Sequence, residues 1–112
     1  MDYLASLEKA IEYIEQNLEE ELYSEDIAKA AGYSLYHLSH IFTAVIGEPI
    51  GSYIQKRRLS NSCKKLLYTK KRIIDIALDS GFGSSEAFSR AFKSTYGVSP
   101  IIYRKNNADL YT

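Results

Sequence analysis

Few residues of this chain are equipped for covalent or metal chemistry, and their spacing limits what they can do. His37 and His40 stand three apart and would share one helix face as half of a metal site. No third ligand follows in a recognisable motif, so metal binding is not expected. Two histidines and one cysteine in 112 residues are too few for a structural zinc site. Cys63 cannot build an internal disulfide and fits a reducing compartment; its place on a long helix reads as a packing position, not a redox centre. No Gly-rich phosphate loop, nucleophile elbow or paired-carboxylate site occurs. Neither an enzyme nor a bound cofactor is expected.

Charge is more informative than its neutral total. Up to Ala28 there are nine acids and one base, Lys9; from Lys29 onward there are 13 bases and five acids. Such asymmetry points to a polyanion partner for the basic part, while two solvated helix faces explain it equally well. The acids of the first helix read as a solvated face. Ten tyrosines raise the idea of base stacking on single strands, but most occupy turn or core positions. No apolar run approaches the ~20 residues of a membrane span. The opening Met1-Asp2-Tyr3-Leu4 lacks a secretory layout, so no membrane partner and a cytoplasmic location are expected.

The elements that must carry these groups are all helical. Leu4, Leu7, Ile11, Ile14 and Leu18 recur at steps of three and four, which predicts an amphipathic helix over 3–20. Ser24 reads as the N-cap of a short helix closed by Gly32. Ser34 caps a third helix with Leu38, Ile41, Phe42 and Val45 inward, stopped by Gly47 and Pro49. A longer helix spans about 50–68, with Tyr53, Ile54, Cys63, Leu66 and Leu67 inward. Helices follow at 73–80, 84–96 and from Pro100 to about Lys105, and residues 106–112 look frayed.

An internal repeat organises these helices. Asp26-Ile27-Ala28 and Gly32-Tyr33 recur 49 residues later as Asp75-Ile76-Ala77 and Gly81-Phe82. With Gly83 as a one-residue insertion, Ser34, Leu38-Ser39, Phe42 and Gly47 match Ser84, Phe88-Ser89, Phe92 and Gly97. Two copies make a duplicated supersecondary unit, not a solenoid. Ala28 and Ala77 let two helices approach closely, and Gly32 and Gly81 supply a left-handed turn without a Cβ penalty. This is the layout of a helix-turn-helix, whose second helix enters the DNA major groove; a plain αα-hairpin is the alternative, and two matches at fixed spacing favour the former. The units occupy about 24–47 and 73–97. The helix between them is ~28 Å long at ~1.5 Å per residue, close to the ~34 Å between successive major-groove segments on one face. Lys56-Arg57-Arg58, Lys64-Lys65 and Lys70-Lys71-Arg72 would supply positive charge for the intervening phosphates.

The run Gly81-Phe82-Gly83-Ser84-Ser85-Glu86-Ala87-Phe88-Ser89-Arg90-Ala91-Phe92-Lys93, followed by Tyr96-Gly97-Val98-Ser99-Pro100 and Tyr103-Arg104, resembles the signature of the AraC/XylS family of bacterial transcription regulators. Ile27-Ala28, then Gly32 through Phe42, looks like the more variable first half of that domain. The resemblance covers about 4–105. It implies one DNA-binding domain over 1–112 with seven helices and two helix-turn-helix units joined by a long helix.

What the resemblance implies for single residues can be carried over by position. In the first unit Ser34 and Leu35 stand at the helix entry, and Tyr36, Ser39, His40 and Thr43 face outward, where family members contact bases and phosphates. A basic residue often stands where this chain has His40. His40 can still donate to a base, and Tyr36 can pack on thymine methyls or a sugar. With no Lys or Arg on this helix, weak binding or reading by shape and apolar contact is expected. In the second unit Ser85, Glu86, Ser89, Arg90 and Lys93 face outward. Arg90 is suited to guanine O6 and N7 or to a phosphate, and Lys93 to a phosphate. Glu86 fits a cytosine N4, a helix cap or an ion pair with Arg90, the structural roles being slightly favoured.

The expected function is therefore sequence-specific binding of double-stranded promoter DNA by a transcription regulator, acting as an activator through RNA polymerase. The rival is a helical protein-interaction module that uses the acidic first helix. A chain opening at Met1 points to a free-standing regulator or to one whose effector-binding domain follows Thr112, and the second signature leans toward Rob-like members with that layout.

Overall fold

Seven helices and no strand occur among residues 3–107, the part of the chain that the computed structural model describes. They are α1 (Tyr3–Gln16), α2 (Ser24–Ala31), α3 (Leu35–Ile46), α4 (Ile50–Tyr68), α5 (Ile73–Asp79), α6 (Ser85–Tyr96) and α7 (Pro100–Asn107). The expected all-α class with seven helices is thus the one found. The chain forms two compact units whose division falls inside α4, between Lys56 and Arg57.

In the first unit α1 buries Leu7, Ala10 and Ile14. It stops four residues short of the expected end. A longer helix would place Glu19 and Glu20 at its negative C-terminal pole. Instead Asn17 turns the chain, its Nδ2 donating to the Tyr13 carbonyl at 2.8 Å, and Leu18 is buried from that turn. Leu4, expected inward, is 65% exposed, and the first turn of α1 instead meets the core through Tyr3, whose ring lies 6.4 Å from that of Tyr33. Ser24 is not the cap of α2: Tyr23 holds that place in extended conformation without a side-chain bond. Glu25 and Asp26 put negative charge in the first turn, which serves the exposed N–H groups in a cap's stead. In α3, Leu38 and Phe42 are buried and Ile41 half-buried as expected, but Val45 is 51% exposed and the last turn packs through Ile46. Ile50 and Ile54 from the start of α4 complete this core.

The second unit takes Leu59 and Leu66 from the remainder of α4 and joins them to Ile76, Ala77, Phe88 and Phe92. Tyr53, Cys63 and Leu67, expected inward on α4, are only half-buried, while Leu59 and Ser62 are fully buried. Ser62 is tolerated there because its hydroxyl donates to the Leu59 carbonyl at 2.6 Å. At the C-terminal side α7 runs to Asn107, whose Nδ2 donates to the Tyr103 carbonyl, so Asn106 and Asn107 are helical and not frayed. Residues 108–112, also expected to fray, lie outside the described residues.

The repeat seen in the sequence is a repeat of hydrogen bonds. Tyr33 N–H donates to the Ala28 carbonyl at 2.9 Å, and Phe82 N–H to the Ala77 carbonyl at 3.0 Å. Gly32 and Gly81, at φ 78° and 82°, make the same left-handed turn. Each turn leads to an extended serine that caps the next helix, Ser34 for α3 and Ser84 for α6.

Candidate nucleic-acid interface

The α3 surface of the first unit begins at its cap. Ser34 Oγ accepts from the His37 N–H at 3.2 Å, which leaves Leu35 and Tyr36 at the helix entry. Leu35, Tyr36, Ser39, His40 and Thr43 are all exposed, opposite the buried Leu38 and Phe42. Tyr36 is 74% exposed, and its ring lies 4.5 Å from that of His40, tilted by 54°. His37 is exposed as well, its ring 5.6 Å from that of Tyr33. The helix is held from behind by an edge-on contact of Phe42 with Tyr53 of α4 at 5.4 Å. Its outer face offers donors, acceptors and apolar contact, with no fixed charge.

The α6 surface of the second unit is built in the same way and charged differently. Ser84 Oγ accepts from the Ala87 N–H at 3.1 Å. Glu86, Arg90 and Lys93 are exposed, while Ser85 and Ser89 are half-buried. Behind them Phe82, Phe88, Phe92 and Tyr103 form a ladder of tilted and edge-on rings with centroids 5.4–5.7 Å apart. That packing fixes the rotation of α6 about its axis and so the direction of Arg90. Glu86 makes neither a side-chain cap bond nor the ion pair with Arg90; of the structural roles favoured for it, only negative charge in the first turn of α6 is present. All three charged groups are open to a partner.

The basic run expected to neutralise phosphates is largely engaged within the protein. Lys56 bonds Glu48. Lys65 and Lys71 both reach Asp79, at 3.2 and 2.8 Å, and the Lys71 hydrogen bond, with Lys65 behind it, holds that carboxyl below the usual carboxylate range. Arg72 donates to both Asp75 oxygens, at 2.9 and 3.3 Å. Lys64 and Lys70, by contrast, are exposed and form no ion pair among the described residues.

Two arginines have positions that sequence reasoning missed. Arg104 donates to the Leu66 and Thr69 carbonyls at 2.9 and 3.3 Å, closing the C-terminal end of α4. Arg58 lays its guanidinium against Gly81: a Cβ there would stand 2.7 Å from Nη1 and 3.0 Å from Cζ. Burial pulls the Arg58 guanidinium below its ordinary range. No periodicity marks either contact; an arginine aligned with a glycine turn is the only hint.

Cys63 lies within hydrogen-bond reach of the Tyr96 and Tyr103 hydroxyls, and burial pushes its thiol up. Burial and the neighbouring Cys63 push Tyr96 up to about 12. This is a thiol used for packing.

Residues 27–106 match the family model described as a helix-turn-helix domain. The chain is similar to the HTH-type transcriptional regulator YbfP of Bacillus subtilis, 44% identical over 104 residues, which cover 93% of this chain and 35% of that protein. It is 41% identical over 92 residues to the HTH-type transcriptional activator AarP of Providencia stuartii, covering 82% of this chain and 68% of AarP. Thus it spans about a third of one relative and two thirds of the other. Among solved structures it resembles a transcriptional regulator from Chromobacterium violaceum with an AraC-type DNA-binding domain: TM-score 0.87, 31% identity, 92% of each chain covered.

Proposed function

Because the chain belongs to the AraC/XylS family of helix-turn-helix transcription regulators, we propose that it binds double-stranded promoter DNA sequence-specifically through the outer faces of α3 and α6. The observation that carries this reading is the duplicated unit itself: twice, a left-handed turn and a serine cap present a helix whose inner face is buried and whose outer face stays open. In this reading Arg90 takes guanine O6 and N7, Lys93 a phosphate, and Glu86 a cytosine N4 amine. Ser34, Ser85 and Ser89 donate to phosphates near the helix entries, and Leu35, Tyr36, Ser39, His40 and Thr43 meet base edges and sugars. Two successive major-groove segments are read by one chain, a proposal supported by the repeat and by the 19-residue length of α4. The role is binding, not turnover. Activation through RNA polymerase, an effector-binding domain following this one, and action in the cytoplasm belong to the same proposal; no helix among the described residues is long and apolar enough to cross a membrane.

Titration of promoter duplexes against salt tests it. Lys64, Lys70 and Lys93, which form no internal ion pair, give a slope of about −2.7 in log K against log salt when each meets a phosphate. Affinity should then fall roughly fortyfold between ~50 mM and ~200 mM salt. No binding to any duplex at low salt refutes the proposal and leaves a protein-interaction module.

A further inference from the structure

Both histidines of the chain lie on α3, and that helix has no Lys, Arg, Asp or Glu. Its outward charge is therefore set by imidazole alone, whereas the same face of α6 carries Arg90 and Lys93 with fixed charge. Both rings are exposed; His40 stands beside Tyr36 on the face that carries Ser39 and Thr43, whereas His37 has its ring 5.6 Å from that of Tyr33. Building on the DNA-binding reading above, we infer that His40 binds DNA in its protonated form, so that the first unit takes up a proton as the complex forms.

The surroundings favour this. A phosphate polyanion brought against an exposed imidazole stabilises its charged form and exchanges a counterion for it. The Tyr36 ring, at 4.5 Å, adds a cation–π contact to an imidazolium and does not oppose it. On α2, the helix packed against α3, the charged groups are Glu25, Asp26 and Lys29; beyond the far end of α3, Glu48 is taken up by Lys56 of α4. None of these bonds His40. Histidine is the side chain that changes charge between about pH 5 and 8, and the Cys63 thiol is pushed up, away from that window. His40 thus stands as the affinity-determining residue of α3, in a position where a permanent cation would make binding indifferent to pH.

The test uses the whole chain and a duplex that the chain itself enriches from a random-sequence pool. Wild-type binding should be about fivefold tighter near ~pH 6 than near ~pH 8. His40→Gln should bind at the weaker level at both pH values, and His40→Arg at the tighter level at both. His37→Gln should keep the wild-type profile. A flat wild-type profile, or a slope that survives His40→Gln, overturns the inference while leaving DNA binding intact. Absence of binding at both pH values and low salt overturns the DNA-binding reading and this inference with it.

Discussion

Adding one methyl group at two equivalent glycines should separate a backbone cost from a side-chain cost. Gly32 and Gly81 have nearly the same positive φ, 78° and 82°. Around Gly32 a Cβ would meet nothing within 4 Å, so Gly32→Ala carries only the left-handed penalty of about 1–2 kcal/mol. Gly81→Ala carries that penalty and also drives a Cβ to 2.7 Å from Arg58 Nη1, so the guanidinium must swing off the turn. Losing that packing should add about 1 kcal/mol, within the coupling found for residues in contact. At ~2.1 cal/mol/K per residue the unfolding entropy of a chain this long converts 1 kcal/mol into about 4 °C. Calorimetric melting of Gly32→Ala, Gly81→Ala, Arg58→Ala and the Arg58→Ala/Gly81→Ala double variant closes the cycle. Gly81→Ala should melt about 4 °C below Gly32→Ala, and the excess should vanish in the Arg58→Ala background. Equal costs at the two glycines, or a cycle that couples by less than ~0.3 kcal/mol, would refute the idea that Arg58 braces the second turn.

Three further perturbations have defined outcomes. Arg90→Ala should relax base preference at one position of the bound sequence by about 1–3 kcal/mol, seen by comparing affinities for duplexes changed one base pair at a time; an unchanged preference refutes the assignment. Asp79→Asn should cost up to about 1 kcal/mol at neutral pH in urea unfolding. The Asp79 carboxyl is held low, so its contribution is complete above the ordinary carboxylate range and is lost as pH falls through the depressed folded value; the variant should lack that acid-side decline. Cys63 should react slowly with a thiol reagent at neutral pH in the native chain and readily in denaturant, because burial raises its thiol; equal rates would contradict its packing role.

The parts of this molecule that depend on local chemistry were legible in the sequence, and the parts that depend on distant partners were not. Gly32, Ser34, Gly81 and Ser84 act within three or four residues of themselves, so their spacing announced the turns and caps. The outward set on α3 followed from the helical period, as did Glu86, Arg90 and Lys93 on α6, whereas Ser85 and Ser89, expected outward, came out half-buried. Leu4 and Val45 kept that period yet came out exposed, because a stripe on a helix says nothing of how far its neighbours extend. Glu86 sits at the spacing of an ion pair with Arg90 and forms none. The ties of Lys65 to Asp79 and of Arg104 to Leu66 span 14 and 38 residues, beyond any local pattern. Counting bases therefore overstated the charge free to meet phosphate.

That internal compensation has a consequence for search. Asp75, Asp79 and Glu48 shield cations that would otherwise cling to any stretch of a chromosome. A regulator competes against millions of wrong sites, and every unspent positive charge deepens those traps as much as the right one. In the DNA-binding reading proposed above, muting these lysines and Arg72 gives up raw grip and shortens each mistaken stop along the way.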